Sequence, residues 1–163
     1  MKKLFIYFSL TNNGDVVAEA LKEKGYAIRK VKIRKKYPDN IFLMILLGGY
    51  KATFNKKDKL LDFNKNIIDY DKIVIGSPIW NDRISAPINS VLSLLDLKDK
   101  DLSFIFYSAS GKGDHAIEKV KKIYGADSII LKEPKTNKEE LKKLKIYSIG
   151  KQYGKIFFRK TIN

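Results

Sequence analysis

The sequence predicts an α/β fold with a parallel sheet whose strands are joined by crossover helices. Short runs rich in Ile, Val and Phe alternate along the chain with stretches whose apolar residues have a helical period. The length of 163 residues, with 44% hydrophobic side chains, is sufficient for one compact domain with its own core. No internal repeat, low-complexity tract or linker-like stretch marks a domain boundary. We therefore expect a single domain over residues 1–163.

Five apolar runs are predicted to form the strands of this sheet. They cover residues 3–8, 27–33, 72–76, 103–107 and 128–131. The second run alternates apolar and polar residues, which is typical of a strand at the edge of a sheet.

Amphipathic stretches between these runs predict helices over residues 15–24, 87–95 and 114–124. The first and third stretches end at a glycine, and the second has a proline in its first turn. A last helix is predicted from a capping box, Thr136-Asn137-Lys138-Glu139, and runs to about Gly150. Residues 152–163 either prolong this helix or form a tail.

The segment of residues 35–66 is long for a crossover connection and contains the pair Gly48-Gly49. We expect a short helix over residues 41–47 and an exposed loop over residues 50–59. Packing over the sheet and contact with a second subunit would explain the apolar helix equally well, so the oligomeric state stays open.

Composition excludes several kinds of chemistry. The chain has no cysteine, which excludes disulfides, thiolate metal sites, iron–sulfur clusters and cysteine nucleophiles. Its single histidine, His115, argues against a histidine metal centre or a histidine triad, so we expect no metal site. The first apolar run stops at Ser9 without a cleavage site, and residues 41–47 are far shorter than the roughly 20 residues of a membrane span. We expect a cytoplasmic protein without a membrane span.

The chain is strongly basic, with 33 Lys and Arg against 18 Asp and Glu and a net charge of +15. One interpretation is a lysine-rich solvated surface, and the other is a functional basic face. The densest basic group comprises Lys30, Lys32, Arg34, Lys35 and Lys36. Nearly all the cations are lysines, whereas surfaces that read bases favour arginine, so we expect no specific nucleic-acid binding.

The loop of residues 9–14 follows the first predicted strand and leads into a helix N-terminus. Parallel sheets bind ligands at the carboxyl ends of their strands, so this loop is a candidate site. Its backbone amides, its hydroxyl groups and the helix dipole predict a phosphate cradle without a positive side chain. An ordinary N-cap turn explains the same residues equally well.

The loops after the third and fourth strands predict a planar ring beside the phosphate. Residues 77–83 contain Trp80, the only tryptophan, which either presents its face to a ring or fills a gap between loop and helix. Residues 108–114 contain glycines that allow a ligand to approach the backbone. The chain has neither P-loop spacing nor a Gly-x-Gly-x-x-Gly after its first strand, so a mononucleotide is favoured over a nucleoside triphosphate or a dinucleotide.

At these loops the chain resembles the flavodoxin and flavodoxin-like proteins, in particular the short bacterial and archaeal ones. Residues 6–18 resemble the family's first strand and its Ser-x-Thr-Gly-Asn-Thr loop, and residues 70–80 its third strand and flavin-facing loop. Residues 106–111 are similar to the fourth strand and third flavin loop, and Gly49-Tyr50-Lys51-Ala52 also fits the short members. The resemblance implies a three-layer α/β/α sandwich with a five-stranded parallel sheet of order 2-1-3-4-5 and noncovalently bound FMN.

Carried onto this chain, the resemblance implies three groups of FMN-binding residues. The phosphate group comprises Ser9, Thr11, Asn12, Asn13 and Gly14, and the ring lies between Pro78, Ile79, Trp80 and Asn81 on one side and Ser108, Ala109, Ser110, Gly111 and Gly113 on the other. Asn12 stands where the family has glycine, and Gly14 where it has threonine. Asparagine tolerates left-handed backbone angles, so we expect the cradle to persist, with weaker binding because one hydroxyl is lost.

The resemblance implies a redox protein that transfers electrons through FMN and has no catalytic side chain. Three functions stay open: an electron carrier, an NAD(P)H-dependent quinone reductase, and a flavodoxin-fold binding module that has lost FMN. The net charge of +15 implies acidic redox partners. We expect His115 to be a surface residue in the first turn of a helix rather than a proton donor to flavin. We expect Asp114 to cap that helix.

Overall fold

The computed structural model describes residues 1–148, which are built around a mainly parallel sheet. Its strands are β1 (Lys3–Tyr7), β2 (Tyr26–Lys30), β3 (Lys72–Trp80), β4 (Arg83–Ile84), β5 (Asp101–Ser108) and β6 (Asp127–Lys132). The parallel strands lie in the order β2-β1-β3-β5-β6, and β4 pairs antiparallel with β3. This is the predicted order 2-1-3-4-5 with one short strand added, so the predicted fold class is confirmed.

Helices cover both faces of the sheet. They are α1 (Asn13–Lys22), α2 (Ile41–Thr53), α3 (Ala86–Leu94), α4 (Asp114–Tyr124) and a 3₁₀ helix (Lys138–Ser148). Successive residues of β1 point to opposite faces, so the strand contributes to two cores. Phe5 and Tyr7 belong to the core that includes residues of α1 and the 3₁₀ helix, whereas Leu4 and Ile6 belong to the core with residues of α3 and α4. The result is a three-layer α/β/α sandwich.

Strand β3 is longer than predicted, because it continues beyond Gly76 to Trp80. It then turns through Asn81 and Asp82 into β4, where Trp80 pairs with Arg83. The φ angles of Asn81 and Asp82 are 48° and 60°. Two-residue hairpin turns need such left-handed angles, and Asn and Asp adopt them more readily than most residues. The predicted loop of residues 77–83 is therefore mostly a strand end and a tight hairpin, which places Trp80 at the last position of β3.

Strand β2 is shorter than predicted and ends at Lys30 rather than at residue 33. Its neighbour β1 ends at Tyr7, directly opposite Lys30, so the later residues have little neighbouring strand to pair with. The chain then leaves the sheet, and Ile33 forms an isolated antiparallel bridge with Leu60.

Helix α2 runs through the glycine pair that was expected to interrupt it and ends at Thr53, so residues 50–53 are helical rather than loop. The Asn40 side chain caps its start by accepting a hydrogen bond from Leu43 N at 3.1 Å. Gly48 is buried, and a Cβ added there would lie 3.1 Å from Cε3 of Trp80. Glycine therefore lets the helix lie against the indole ring, a tertiary contact that helix propensity does not reveal.

The last helix begins at Lys138 rather than in a capping box at Thr136, and it has 3₁₀ geometry. The backbone amides of Thr136 and Asn137 both donate to Glu133 O, and the Thr136 hydroxyl donates to the same oxygen at 3.2 Å. These residues form a turn before the helix. The predicted helix end near Gly150 and the alternatives for residues 152–163 lie outside the described residues. Within residues 1–148, no helix is long and apolar enough to cross a membrane.

Candidate functional site

A cleft of about 830 Å³ opens at the carboxyl edge of the sheet. The ends of β1, β3 and β5 meet there, as expected for parallel strands, and α2 and the segment after β6 complete the walls. Its lining residues are Thr11 and Asn13; Met44, Ile45, Leu46, Gly49, Tyr50 and Thr53; Pro78, Ile79, Trp80 and Asn81; Tyr107, Ser108 and Ala109; Glu133, Lys135 and Thr136. The other predicted residues lie in the same loops without lining the cleft: Ser9, Asn12, Gly14, Ser110, Gly111 and Gly113.

The loop between β1 and α1, which the sequence predicts to be a phosphate cradle, enters the helix through a left-handed residue. Asn12 is the N-cap of α1, with φ 64° and ψ 7°. Asparagine adopts this left-handed conformation more readily than most residues, so position 12 does not require glycine. The buried Ser9 hydroxyl accepts a hydrogen bond from Gly14 N at 3.0 Å. This bond ties the first turn of α1 to the loop that precedes it.

The side chain of Asn13 joins the cradle to the segment that follows β6. Its amide donates to Thr11 Oγ1 at 3.2 Å, and its carbonyl accepts from Lys135 N at 3.0 Å. A helix leaves its first N–H groups without intrahelical acceptors, so the amides of Asn13 and Asp15 can donate to an anion. Lys135 adds a positive side chain at this end of the cleft.

Gly14 makes room for two tyrosines. A Cβ at this position would lie 2.5 Å from Tyr107 Oη and 2.8 Å from Tyr7 Cδ2. Tyr107 is buried, and its hydroxyl donates to Phe8 O. The phenol rings therefore fill the space that a threonine side chain would need at position 14. This packing explains why the chain has glycine where the flavodoxin pattern has threonine.

The carboxylate in the first turn of α1 is paired behind the cradle. Asp15 Oδ1 accepts hydrogen bonds from Lys30 Nζ at 2.5 Å and from Tyr7 Oη at 2.8 Å. Burial by itself would raise the pKa of Asp15, but the bonds from Lys30 and Tyr7 hold it below its usual value. Burial, together with Asp15, raises the pKa of Tyr7, so this phenol stays protonated as a donor. The negative charge of Asp15 in the first turn of α1 is therefore offset by Lys30.

Trp80 packs between β3 and α2 and also lines the cleft. Its ring makes edge contacts with Phe8 at 6.0 Å and with Tyr37 at 5.1 Å between ring centroids, and Gly48 packs against it. It thus fills the gap between β3 and α2. The indole is also partly exposed and lines the cleft, so it can contact a ring bound there.

The loop after β5 is held by its own side chains. The Ser108 hydroxyl donates to Lys112 O at 3.0 Å, and Ser110 Oγ accepts from Lys112 N at 3.2 Å. Gly113 is buried, and a Cβ there would lie 3.1 Å from Ile79 Cγ1. Gly113 thus allows the loop to pack on β3, while Ser108 and its neighbour Ala109 reach the cleft.

Two walls of the cleft were missed from the sequence. The first is the α2 wall, which contributes Met44, Ile45, Leu46, Gly49, Tyr50 and Thr53. The second is the segment after β6, which contributes Glu133, Lys135 and Thr136. A signal existed for the second, because this loop also follows a parallel strand and ends at the same edge of the sheet. The α2 wall had a weaker signal, the likeness of residues 49–52 to short flavodoxin-like proteins.

The start of α4 lies outside the cleft lining. The helix begins at Asp114 with Gly113 as its N-cap, and the amide of His115 donates to Asp82 Oδ2 at 3.2 Å. Asp82 of the β3–β4 hairpin therefore caps this helix, and the prediction that Asp114 does so is wrong. His115 is exposed, and its Nε2 contacts the Arg83 guanidinium, in keeping with a surface residue.

The chemistry of the cleft differs between its two ends. Helix amides, Thr11, Asn13 and Lys135 offer hydrogen bonds and a positive charge at one end, and Glu133, from the same segment as Lys135, adds one carboxylate to the lining. Side chains from α2 and β3 make the rest mainly apolar. Such a cleft suits a ligand that joins an anionic group to a flat apolar ring.

Comparison with known proteins identifies relatives by sequence family and by fold. The family model for NADPH-dependent FMN reductase matches residues 12–135. A protein from Bacteroides eggerthii assigned as a flavoprotein superposes with a TM-score of 0.69 at 22% identity, covering 91% of this chain and 98% of that one. A flavoprotein from Lactobacillus acidophilus, crystallised in complex with FMN, gives a TM-score of 0.61 at 20% identity and covers 85% and 97%. No curated protein sequence matches the chain. At these identities the two structures establish a shared fold.

Proposed function

Because the chain belongs to the NADPH-dependent FMN reductase family, its cofactor is FMN, and we propose that it holds FMN in the cleft and uses it to pass electrons from NAD(P)H to an acceptor. The observation that carries the proposal is the cleft, which joins an anion cradle to an apolar slot. FMN has the matching form, with a phosphate at one end and a flat isoalloxazine ring at the other. The flavoprotein from L. acidophilus that was crystallised with FMN shares this fold, which supports the assignment.

FMN supplies the redox chemistry when it is bound, and the protein supplies binding, orientation and electrostatics. In this proposal the first-turn amides of α1, the Thr11 hydroxyl and Lys135 bind the phosphate. The β3 residues from Pro78 to Asn81 and the pair Ser108 and Ala109 would hold the ring, and the cleft-lining residues of α2 would border it. Ser9, Asn12, Gly14, Ser110, Gly111 and Gly113 give these loops their shape. The proposal needs no general acid or base among residues 1–148, which the structure describes.

The family description supports NADPH as the electron donor, and the cytoplasm is the location that we propose. The apolar wall of α2 favours a flat, poorly soluble acceptor such as a quinone. A second candidate is an electron carrier without a hydride donor, which the charge of +15 favours because it suits an acidic protein partner. For a carrier, electron transfer to such a partner slows as salt rises, whereas transfer to a neutral quinone is insensitive to salt.

Spectroscopy of the purified protein tests the proposal in two steps. FMN is titrated first, and we expect saturable, equimolar quenching of flavin fluorescence together with quenching of Trp80, the only tryptophan. NADPH is then added without oxygen, and we expect the flavin absorption band to bleach. Bound flavin that dithionite bleaches but NADPH and NADH do not would favour the carrier. Failure to take up FMN would overturn the proposal.

A further inference from the structure

The outer side of α2 is an exposed apolar face. Its large apolar side chains are 36% to 71% exposed, and they are Ile41, Phe42, Leu43, Ile45, Leu46, Leu47, Tyr50 and Phe54. Gly48 and Ala52 turn toward the core, and Lys51 is the only charged residue of the helix. No other element in residues 1–148 covers this face, and contiguous apolar surface of this kind marks an interaction site.

A rim of positive side chains borders both ends of the α2 face. Lys35 and Lys36 precede the helix, and Lys56 and Lys57 follow it. The bridge between Ile33 and Leu60 brings the two segments together, and Arg34 N donates to Lys59 O at 2.8 Å. The exposed members of this basic rim are Lys32, Arg34, Lys35, Lys36, Lys56, Lys57 and Lys59.

Few negative charges offset the basic rim. Between residues 32 and 59 the acidic side chains are Asp39 and Asp58. Asp58 is already bonded to Tyr37 at 2.6 Å and to Lys51 at 2.5 Å, which leaves Asp39 as the exposed carboxylate. The α2 face is therefore apolar at its centre and strongly positive at its edge.

We propose that the α2 face and its basic rim dock the protein on an anionic phospholipid surface. Helices that lie in a membrane interface place Ile, Leu and Phe at the boundary between headgroups and acyl chains, and neighbouring lysines contact lipid phosphates. The helix spans too few residues to cross a bilayer, so the contact is peripheral. The rim explains why the lipid is anionic, because its excess positive charge is complementary to that surface.

The composition of the surface favours lipid over a protein partner. Protein interfaces are enriched in aromatic residues, Met and Arg and depleted in Lys. Five of the eight exposed apolar residues of this face are Ile or Leu, and its rim is almost entirely Lys. A second copy of the chain is also disfavoured. A twofold contact through α2 would bring two basic rims together, and each chain carries a net charge of +15.

Docking through α2 would set the mouth of the cleft against the bilayer. Ile45, Leu46 and Tyr50 belong to the exposed face and also line the cleft. An acceptor dissolved in the bilayer, such as a lipophilic quinone, would then reach the cleft along the helix. This consequence rests on the proposed function, whereas the docking itself does not.

Co-sedimentation of the full chain with lipid vesicles tests the docking. We expect binding to vesicles of phosphatidylcholine mixed with phosphatidylglycerol, weakening with added salt, and little binding to phosphatidylcholine alone. The double variant Ile41→Ser/Phe42→Ser should lower the partition coefficient at least about tenfold. Ile123→Ser on α4 is the matched control, since Ile123 is 58% exposed and Ile41 70%, and it should bind as the wild type does. Circular dichroism and melting temperature show that each variant is folded, whether or not FMN binds.

Three results would overturn the docking proposal. The first is a wild-type protein that does not bind the anionic vesicles. The second is undiminished binding by Ile41→Ser/Phe42→Ser, which would place the lipid contact elsewhere. The third is a wild-type dimer in light scattering that the double variant converts to a monomer, since a second copy would then cover the face.

Discussion

Replacing Gly14 with alanine tests whether the close packing behind the cradle is the reason for this glycine. The new Cβ would lie 2.5 Å from Tyr107 Oη and 2.8 Å from Tyr7 Cδ2, and both rings are buried. Overpacking of this kind costs about 1–3 kcal/mol. Displacing the Tyr107 hydroxyl from Phe8 O leaves a buried acceptor unpaired, which costs about 1–3 kcal/mol more. The higher helix propensity of alanine offsets at most about 1 kcal/mol of this destabilisation.

We therefore expect Gly14→Ala to lower the free energy of unfolding by about 1–6 kcal/mol, or the melting temperature by about 2–24 °C for a chain of this size. Urea unfolding and thermal melts measure the effect. Gly49→Ala is the matched control within a helix, because its Cβ would meet only Asn81 Cβ at 3.8 Å and it should be neutral or stabilising.

Adding Tyr107→Phe to the Gly14 variant gives the sharper test. The change removes the oxygen nearest the new methyl group, so the double variant should be more stable than the two separate losses predict, by about 1 kcal/mol. A Gly14→Ala protein that melts at or above the Gly49→Ala control would refute the packing argument. Strict additivity in the double variant would refute the role assigned to the Tyr107 hydroxyl.

Three further predictions concern the cradle and the indole. Thr11→Val should raise the Kd for FMN about two- to tenfold in a fluorescence titration at an unchanged melting temperature, and an unchanged Kd would remove Thr11 from the phosphate site. The pKa of Asp15 is lowered in the folded state, so its charge stabilises the fold above the unfolded pKa of about 4 and this contribution is lost as the pH falls through the folded pKa. Asp15→Asn should accordingly lose about 1–2 kcal/mol at neutral pH in urea unfolding, with a gap to wild type that closes in acid; a constant gap would contradict this. Gly48→Ala should shift the emission of Trp80, since its Cβ would lie 3.1 Å from Cε3, and an unaltered spectrum would show that the two are not in contact.

Much of the fold could be predicted because its strands and helices carry their own periodicity. The runs that became β1, β5 and β6 are apolar enough to be recognised alone, and α4 was predicted at its observed bounds, Asp114–Tyr124. The positions of the three loops at one edge followed from the parallel arrangement of the strands. The tolerance of Asn12 for a left-handed conformation could also be read locally, because it depends on the chemistry of one residue.

The predictions failed where a distant contact overrides a local preference. Gly48-Gly49 looked like a helix end, but Gly48 is required by Trp80, which lies far along the chain. Asp114 looked like a helix cap, but the β3–β4 hairpin delivers Asp82 to that role. The capping box at Thr136 was replaced by a turn around Glu133.

The sequence by itself determined the layered α/β architecture and the three loops that lie at the site, because hydrophobic period and turn chemistry act over a few neighbouring residues. Only the tertiary structure decided how the site is closed and what surrounds it. Helix α2 forms a wall through its contact with the indole of Trp80, and the Ile33–Leu60 bridge gathers two basic segments beside that helix. Both depend on close packing between segments separated in the chain, which no local pattern records.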